Sequence, residues 1–397
     1  METVWTVPYH VPSIGKEEID EVTDTLRSGW LTTGPKVRQF EEEFRTFVGA
    51  PNALALNSCT AALHLALVAM NLEPGDEVIT TPLTFCATIN AIVHAGGVPV
   101  LADVDGDGNL DPVGVADAIS PRTRVVLPVH FAGLPCDMQA IWAIARRHGL
   151  RVIEDAAHAL PASFRGVRIG GQSPWGESDA VAFSFYATKC LTTGEGGMLT
   201  TPNASVHTRC KSLSLHGISA DAWVRYADTR RWFYEVRECG FKCNMSDIQA
   251  AIGIHQLHRQ IDFCEQRAAI AARYTDAFSQ FDDVIVPRFP VDRSHAWHLY
   301  VLRLRRGNLP EARDAFLNSL HREGVGASVH FIPIPLHPFY AGRFPLAAWP
   351  RARAFYESAL SLPIYPGMTE RQVDVVISTV ERAITSVRRP LFAVAGR

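Results

Sequence analysis

Short apolar runs alternate with helix-like stretches from about residue 53 onward. The apolar runs EVITTP, VPVLADV, RVVLPVHF and RVIED are separated by stretches of helical periodicity, such as TAALHLALVAMNL, TINAIVHAG and MQAIWAIARRHG. Strands that alternate with helices of about 10–15 residues are typical of a mostly parallel sheet with helices on both faces. The chain has 397 residues, of which 47% are hydrophobic, and this is enough for a large core. We therefore predict an α/β fold built on a mostly parallel central sheet.

The pattern of predicted strands and helices changes in the last third of the sequence and indicates a second, smaller unit. A stretch without proline over residues 246–280 is predicted to be one long helix that links the two parts. Beyond it, SHAWHLYVLRL, VGASVHFIPIP and LSLPIY are predicted strands, separated by helices such as PEARDAFLNSLHREG. We predict a large domain over residues 14–264, a smaller C-terminal α/β domain over residues 265–385, and a loose tail over residues 386–397.

Charge and cysteine usage argue against several classes of protein. The net charge of -3 provides no basic surface for nucleic acid. The eight cysteines are scattered and form no CxxC pair, which favours reduced thiols in a cytoplasmic protein. The N-terminal METVWTVPYHVPS lacks the pattern of a signal peptide, and no run approaches the roughly 18 apolar residues of a membrane span. We therefore expect a cytoplasmic protein that binds neither nucleic acid nor membrane.

Sequence motifs for metals and common cofactors are incomplete. The acidic stretch DVDGDGNLDPVG resembles a calcium loop, but its twelfth position, which should be a bidentate glutamate, is Gly114. No GxGxxG follows a strand, and no P-loop or HExxH pattern is present. The sequence therefore predicts no metal site and does not support dinucleotide binding.

Two segments could bring an acid and an amine together at strand ends. Asp155 ends the apolar strand of RVIEDAAHAL, and ligands of parallel sheets bind beyond the carboxyl ends of the strands. On this segment alone, a plain helix cap explains Asp155 equally well. Lys189 lies in FSFYATKCLTTGEGG, among small hydroxyls and glycines, and a lysine considered alone is more often an exposed charge. Together, a Schiff-base lysine and an acid that can hold a pyridinium nitrogen are the parts of a pyridoxal 5'-phosphate (PLP) site.

Two further segments suit the same kind of site. In NSCTAALHLAL, Ser58, Cys59 and Thr60 open a helix whose N-terminus suits a phosphate group, although a plain cap explains the segment equally well. In TTPLTFCAT, Phe85 follows a strand and could stack on a cofactor ring, although an aromatic residue here is more often part of a core. The order of the four segments is more specific than any one of them.

This order resembles the DegT/DnrJ/EryC1/StrS family of PLP-dependent sugar aminotransferases. The resemblance covers nearly the whole chain and rests on SGWLTTGP, NSCTAALHLAL, TTPLTFCATINAI, VIEDAAHAL, FSFYATKCLTTGEGG, SLHGIS, GFKCNMSDIQAAIGIHQL, VHFIP and SLPIYPGMT. It implies a fold-type I aminotransferase that uses PLP and passes through the pyridoxamine 5'-phosphate form. The chain departs from the family pattern at Cys59, where glycine is usual, and at Ala132 and Leu134, which replace a more common Tyr–Gln pair.

The resemblance also implies roles for individual residues. Lys189 would form the Schiff base and move the proton at the substrate carbon. Asp155 would pair with the pyridine nitrogen, and His158 would lie near the ring hydroxyl. The other residues of the chain expected to hold the cofactor are Cys59, Thr60, Ala61, Phe85, which would stack on the ring, and Ser184.

A homodimer with shared active sites is a further implication of the resemblance. In the family, the partner subunit reaches into the site from the segment that matches GFKCNMSD, so Lys242 or Asn244 would cross over to contact the cofactor. N-terminal residues 1–13 would lie near the site. The residues expected to face the sugar are Tyr9, Trp30, Leu31, Thr32, His330 and Phe331.

The predicted reaction moves an amino group from L-glutamate or glutamine to a keto sugar. A nucleotide-linked 4-keto-6-deoxyhexose is the favoured acceptor, because the Lys–Asn variant in GFKCNM recurs in family members that act on such sugars. A keto-cyclitol of the inosose type is the alternative acceptor. The dehydratase branch of the family carries histidine in place of the Schiff-base lysine, so Lys189 disfavours a sugar dehydratase.

Overall fold

The structure is a computed structural model that describes residues 5–218, 234–305, 309–344 and 346–388. Its α-helices are α1 (Lys16–Ser28), α2 (Pro35–Val48), α3 (Cys59–Ala69), α4 (Cys86–His94), α5 (Pro112–Ala118), α6 (Met138–His148), α7 (Ala204–Leu213), α8 (Asp247–His258), α9 (Gln260–Phe278), α10 (Leu309–Arg322), α11 (Pro350–Ser358) and α12 (Glu370–Arg388). None of these helices is long and apolar enough to cross a membrane.

The strands form one large sheet and two small ones. They are β1 (Asn52–Leu56), β2 (Glu77–Thr80), β3 (Val98–Leu101), β4 (Thr123–Val126), β5 (Arg151–Asp155), β6 (Ser163–Phe164), β7 (Val167–Arg168), β8 (Ala180–Ser184), β9 (Gly197–Thr201), β10 (Val284–Ile285), β11 (Arg293–Ser294), β12 (Tyr300–Leu304) and β13 (Ala359–Leu362). The large sheet has the order β1-β9-β8-β5-β4-β2-β3. Only β9 pairs in antiparallel fashion with its neighbours, whereas the other pairs in this sheet are parallel. This confirms the predicted α/β fold with a mostly parallel central sheet.

Helices cover both faces of the large sheet. Successive residues of a strand point to opposite faces. On β1, Leu54 and Leu56 join the buried cluster that contains α3, whereas Ala53 and Ala55 join the cluster that contains Phe40 of α2. Because apolar residues occupy both faces, the strands are continuous apolar runs rather than alternating ones.

A three-stranded antiparallel sheet, β10-β12-β13, forms the C-terminal part of the fold. Apolar side chains of α9, α10 and α12 pack on one of its faces, where they meet Leu302, Leu360 and Leu362. The predicted boundary between residues 264 and 265 falls inside α9, and the division into two domains stays a prediction. The last helix extends to Arg388, so residues 386–388 of the predicted tail are helical, and residues 389–397 lie outside the described residues.

The prediction of one helix over residues 246–280 is wrong, because the chain forms two helices, α8 and α9, that meet at Arg259. This residue has φ -94° and ψ 3°, outside helical geometry. The segment contains no proline, and its one glycine, Gly253, lies inside α8, so neither residue type accounts for the break at Arg259. The Arg259 guanidinium donates to the Ser13 carbonyl at 3.0 Å and also pairs with Glu18 of α1.

The strand predicted for VGASVHFIPIP is also wrong, since this segment makes only isolated bridges. Val325 pairs with Val7, and Ser328 pairs with Ser361 of β13. Pro333 and Pro335 lack the N–H group that a strand donates to its ladder, and they limit how far pairing can extend. Of the other predicted C-terminal strands, SHAWHLYVLRL contains β12, and LSLPIY contains all of β13 except its first residue, Ala359.

Asp247, the first residue of α8, ties that helix to the N-terminus of α2. Its buried carboxylate accepts hydrogen bonds from the backbone N–H groups of Gly34 at 2.8 Å, Lys36 at 3.1 Å and Val37 at 3.0 Å. The first N–H groups of a helix have no intrahelical acceptor, so a carboxylate from another helix can serve as their cap.

Replacing Asp247 with alanine should lower the free energy of unfolding by about 1–2 kcal/mol, because three N–H groups lose their acceptor. The measurement is urea denaturation followed by circular dichroism. Asp117→Ala, which removes an exposed carboxylate from α5, is the matched control and should change stability by less than about 0.5 kcal/mol. Equal losses in the two variants would contradict the capping role of Asp247.

Candidate active site

Four segments of the large sheet converge at one edge of it. β1, β5 and β8 run parallel and end there, at residues just before Ser58, at Asp155 and at Ser184. β9 runs in the opposite direction and therefore begins at the same edge, with Gly197. The carboxyl edge of a parallel sheet is where ligands of such folds bind, so the topology brings these segments together at a candidate site.

Asp155 is buried, and two groups donate hydrogen bonds to its carboxylate. The Thr88 hydroxyl donates to Oδ2 at 2.8 Å, and the Ala157 N–H donates to Oδ1 at 3.1 Å. Burial raises the pKa of Asp155, while these hydrogen bonds and the nearby Lys189 charge oppose the rise. A buried carboxylate held in this way can stabilise a cationic group of a ligand placed beside it.

Lys189 lies in the loop that follows β8, close enough to Asp155 for the two charges to affect each other. Burial lowers the pKa of Lys189, and nearby acidic groups including Asp155 limit that decrease. A lowered pKa increases the fraction of neutral amine, which is the form that attacks a carbonyl carbon. The structure thus places the predicted amine and the predicted acid at one site.

The helix start of NSCTAALHLAL lies against the beginning of β9. Ser58 is the N-cap of α3, and its Oγ accepts a hydrogen bond from the Ala61 N–H at 3.1 Å. Cys59 is buried and Thr60 is exposed, as expected for a turn with one face open to a ligand. A Cβ atom on Gly197 would lie 2.4 Å from the carbonyl carbon of Ser58, so only glycine permits this close approach.

His158 is buried in an aromatic cluster at the same edge. Its ring centroid lies 4.3 Å from that of His298 and 5.7 Å from that of Phe331. Burial holds the pKa of His158 well below its usual range, and the charges of Lys189 and His330 add to the decrease. Its buried Nδ1 has no hydrogen-bond partner among the described residues, which leaves this atom for a polar group of a ligand.

Three of the residues predicted to face the sugar join this cluster. Tyr9 stacks on His330 with ring centroids 5.8 Å apart, and His330 precedes Phe331. Burial lowers the pKa of His330 to about 4, and the Lys189 charge contributes to the decrease. The predicted stacking residue Phe85 is 60% exposed, and its ring lies 6.1 Å from that of Phe331.

The remaining predicted residues form a second group, on the loop before α2 and on the segment before α8. Thr33 links the two elements, because its hydroxyl donates to the Met245 carbonyl at 2.6 Å and accepts from the Asn244 amide at 2.7 Å. Three of the residues predicted for this region, Thr32, Lys242 and Asn244, line a cavity of about 420 Å³. Trp30 and Leu31 precede Thr32 in the same loop.

Sequence reasoning missed three residues that complete the first group. Thr88 donates to Asp155. The available signal in the sequence was the i,i+4 spacing of Thr84 and Thr88, whose hydroxyls lie 2.8 Å apart. His298 packs on His158, and Ser361 lies 3.0 Å from His330 Nδ1. Both reach the site from the C-terminal part of the fold, and although Ser361 opens the segment SLPIYPGMT of the resemblance, no role was predicted for either residue.

The residues present suit PLP. At this edge of the sheet, the N-terminus of α3, which Gly197 approaches closely, suits the phosphate. A buried acid, a lysine of lowered pKa and a buried histidine nitrogen without a partner among the described residues lie at the same edge. These are different chemical groups, and each matches a different part of that cofactor. The fold and the site therefore define a PLP-dependent aminotransferase of fold type I.

Comparison with known proteins identifies the family. The model of the DegT/DnrJ/EryC1/StrS aminotransferase family matches residues 12–381. The chain belongs to this family, and the enzyme is a PLP-dependent sugar aminotransferase. The predicted family, fold class, cofactor and enzyme class are thereby confirmed.

Individual relatives are similar along almost their whole length. The spore coat polysaccharide biosynthesis protein SpsC of Bacillus subtilis (strain 168) is 52% identical over 378 residues, which cover 94% of this chain and 96% of SpsC. A putative sugar aminotransferase from Streptococcus pneumoniae, in its PMP form, is 32% identical with a TM-score of 0.90, over 96% of this chain and 100% of that one. PseC of Helicobacter pylori, an aminotransferase involved in the biosynthesis of pseudoaminic acid, is 29% identical with a TM-score of 0.88, over 96% and 99%.

Replacing Gly197 with alanine should weaken PLP binding and lower the melting temperature, because the new methyl group would lie 2.4–2.6 Å from backbone atoms of the α3 helix start. Cofactor occupancy by absorbance and thermal unfolding of the cofactor-free protein are the measurements. Gly342→Ala is the control, because no atom lies within 4 Å of the Cβ it would add. Full cofactor occupancy and unchanged stability in Gly197→Ala would refute the close approach.

Proposed function

We propose that this enzyme transfers an amino group from L-glutamate or glutamine to a nucleotide-linked keto sugar, with a 4-keto-6-deoxyhexose as the favoured acceptor. The observation that carries the proposal is that Lys189 and Asp155 lie close enough at the sheet edge for their charges to interact, beside the helix start at Ser58. Relatives whose names refer to spore coat polysaccharide and pseudoaminic acid biosynthesis support a carbohydrate acceptor.

Lys189 and Asp155 would carry the chemistry. PLP, when bound, supplies an electron-accepting ring that allows an amino group to move between an amino acid and a carbonyl compound. Lys189 would hold PLP through its Nζ and would carry the proton to and from the substrate carbon. Asp155 would keep the pyridine nitrogen protonated, and the two hydrogen bonds to its carboxylate would hold it in place.

The surrounding residues would position the cofactor. His158 Nδ1, which has no protein partner among the described residues, would bond the ring hydroxyl. Phe85 would stack on the ring with its exposed face. The phosphate would lie at the start of α3, held by backbone N–H groups and by the side chains of Thr60 and Ser184. The residues whose backbone would line this phosphate turn are Cys59, Thr60 and Ala61.

The proposal includes a homodimer in the cytoplasm. Lys242 is exposed, and together with Asn244 it borders the cavity of about 420 Å³, so both could reach into a partner's site. Thr32 lines the same cavity, Trp30 and Leu31 precede it in the same loop, and all three would take part in substrate binding. The eight cysteines are all free, which supports a reducing compartment.

Replacing Lys189 with alanine should abolish covalent attachment of PLP, because the amine that holds it is removed. Borohydride reduction followed by mass spectrometry of the labelled peptide measures the attachment, and circular dichroism checks the fold. Lys16→Ala, which removes an exposed lysine from α1, is the control and should retain the label at Lys189. A label that persists in folded Lys189→Ala would show that another amine holds the cofactor.

The acceptor class can be determined with a panel of purified substrates. UDP-, dTDP- and GDP-linked 4-keto sugars and scyllo-inosose would each be incubated with enzyme and L-glutamate, and 2-oxoglutarate release would be measured. We expect kcat/KM to be highest for one of the nucleotide-linked sugars. Preferential reaction with scyllo-inosose would instead establish the keto-cyclitol alternative.

A further inference from the structure

Ser361 is a buried hydroxyl on the face of β13 that points away from the apolar core of the small sheet. Leu360 and Leu362 pack into that core, whereas Ala359, on the other face with Ser361, joins the cluster of the large sheet. Ser361 itself is fully buried. A buried hydroxyl is costly unless it is hydrogen-bonded, so a serine here, rather than a second alanine, requires partners nearby.

His330 of the candidate active site is the hydrogen-bond partner of this hydroxyl. His330 Nδ1 lies 3.0 Å from Ser361 Oγ, and no other hydrogen bond of Ser361 Oγ is present among the described residues. The ring of Tyr9 stacks on His330, with ring centroids 5.8 Å apart.

The backbone brings His330 and Tyr9 close to Ser361. The Ser328 N–H donates to the Ser361 carbonyl at 3.1 Å, and the Ser361 N–H donates to the Ser328 carbonyl at 2.7 Å. His330 follows Ser328 by two residues. Tyr9 is brought close by Gly326, because a Cβ atom at Gly326 would lie 2.5 Å from the Tyr9 backbone nitrogen.

The burial of Ser361 determines which nitrogen of His330 is protonated. His330 Nδ1 is the one atom of the described residues that is hydrogen-bonded to Ser361 Oγ, and Ser361 is fully buried. The Ser361 proton is therefore paired only if Ser361 donates it to Nδ1. Donation in the opposite direction would leave this buried proton without an acceptor, so the ring carries its proton on Nε2.

We propose that Ser361 is a positioning residue that holds His330 as the Nε2–H tautomer, so that this ring presents a neutral N–H donor to an oxygen of the sugar acceptor. The identity of the acceptor rests on the function proposed above, whereas the tautomer does not. His330 lies close to Lys189, His158 and His298, whose charges interact with it, so the ring is at the site and not behind it.

The tautomer can be measured without any substrate. Protein labelled with ¹⁵N-histidine would be examined by two-bond ¹H–¹⁵N correlation NMR at pH 7.5, with the His330 signals assigned by their loss in His330→Gln. We expect an unprotonated Nδ1 and a protonated Nε2 in the wild type, and a mixture of tautomers in Ser361→Ala. A proton on Nδ1 in the wild type, or the same single tautomer in Ser361→Ala, would overturn the proposal.

Kinetics test the consequence for catalysis. Ser361→Ala should lower kcat/KM for the keto sugar about tenfold, and Ser361→Thr, which keeps the hydroxyl, should restore most of it. Ser358→Ala is the control for losing a buried serine hydroxyl, because Ser358 Oγ bonds only carbonyls of α11, and its kcat/KM should stay within about twofold of the wild type. Equal activity of Ser361→Ala and the wild type would exclude the positioning role.

The two readouts separate failure of this proposal from failure of the proposed function. An Nε2–H tautomer that depends on Ser361, in an enzyme that aminates no keto sugar, supports the positioning role and refutes only the acceptor. An Nδ1–H tautomer in an enzyme that does aminate a keto sugar refutes the positioning role and leaves the function in place.

Discussion

A carboxylate buried at the end of β5 is the constraint on which the site depends. Burial of an ionised acid is unfavourable unless hydrogen bonds or an opposite charge compensate for it. Asp155 obtains one hydrogen bond from Thr88 on α4 and one from the backbone just after β5, and Lys189 provides the nearby positive charge. The start of α4, the turn after β5 and the lysine loop must therefore keep fixed positions relative to one another.

The central sheet and the end of β5 could be predicted because their signals are local. Apolar runs and the polar residues that follow them are adjacent in sequence, so Asp155 was placed correctly at the end of β5. Thr88 lies 67 residues from Asp155, and Ser361 lies 31 residues from His330 in a different part of the fold. Such contacts depend on packing between elements, and the i,i+4 spacing of Thr84 and Thr88 does not by itself report that Thr88 meets Asp155.

The wrong predictions for the C-terminal part have a related cause. The segment that begins at Val325 has the apolar and β-branched residues of a strand, but its backbone pairs only at Val325 and Ser328. The bridge at Val325 holds the N-terminal segment, and the bridge at Ser328 holds the segment that leads to His330. Neither bridge extends into a β-ladder. Local preference and observed structure thus diverge where the chain builds a functional site, as expected when such sites violate local rules.

Two histidines of this enzyme, His130 and His330, have different kinds of hydrogen-bond partner. His130, fully buried next to the end of β5, pairs with Glu154, with Nε2 and Oε2 2.7 Å apart. His330 has the hydroxyl of Ser361 in the corresponding role. A carboxylate beside His330 would place a negative charge close to Lys189, which would raise the pKa of the lysine and lower the fraction of neutral amine. Because a neutral Lys189 amine is needed for attack on a carbonyl, a hydroxyl that orients the ring without adding a charge is the partner compatible with this site.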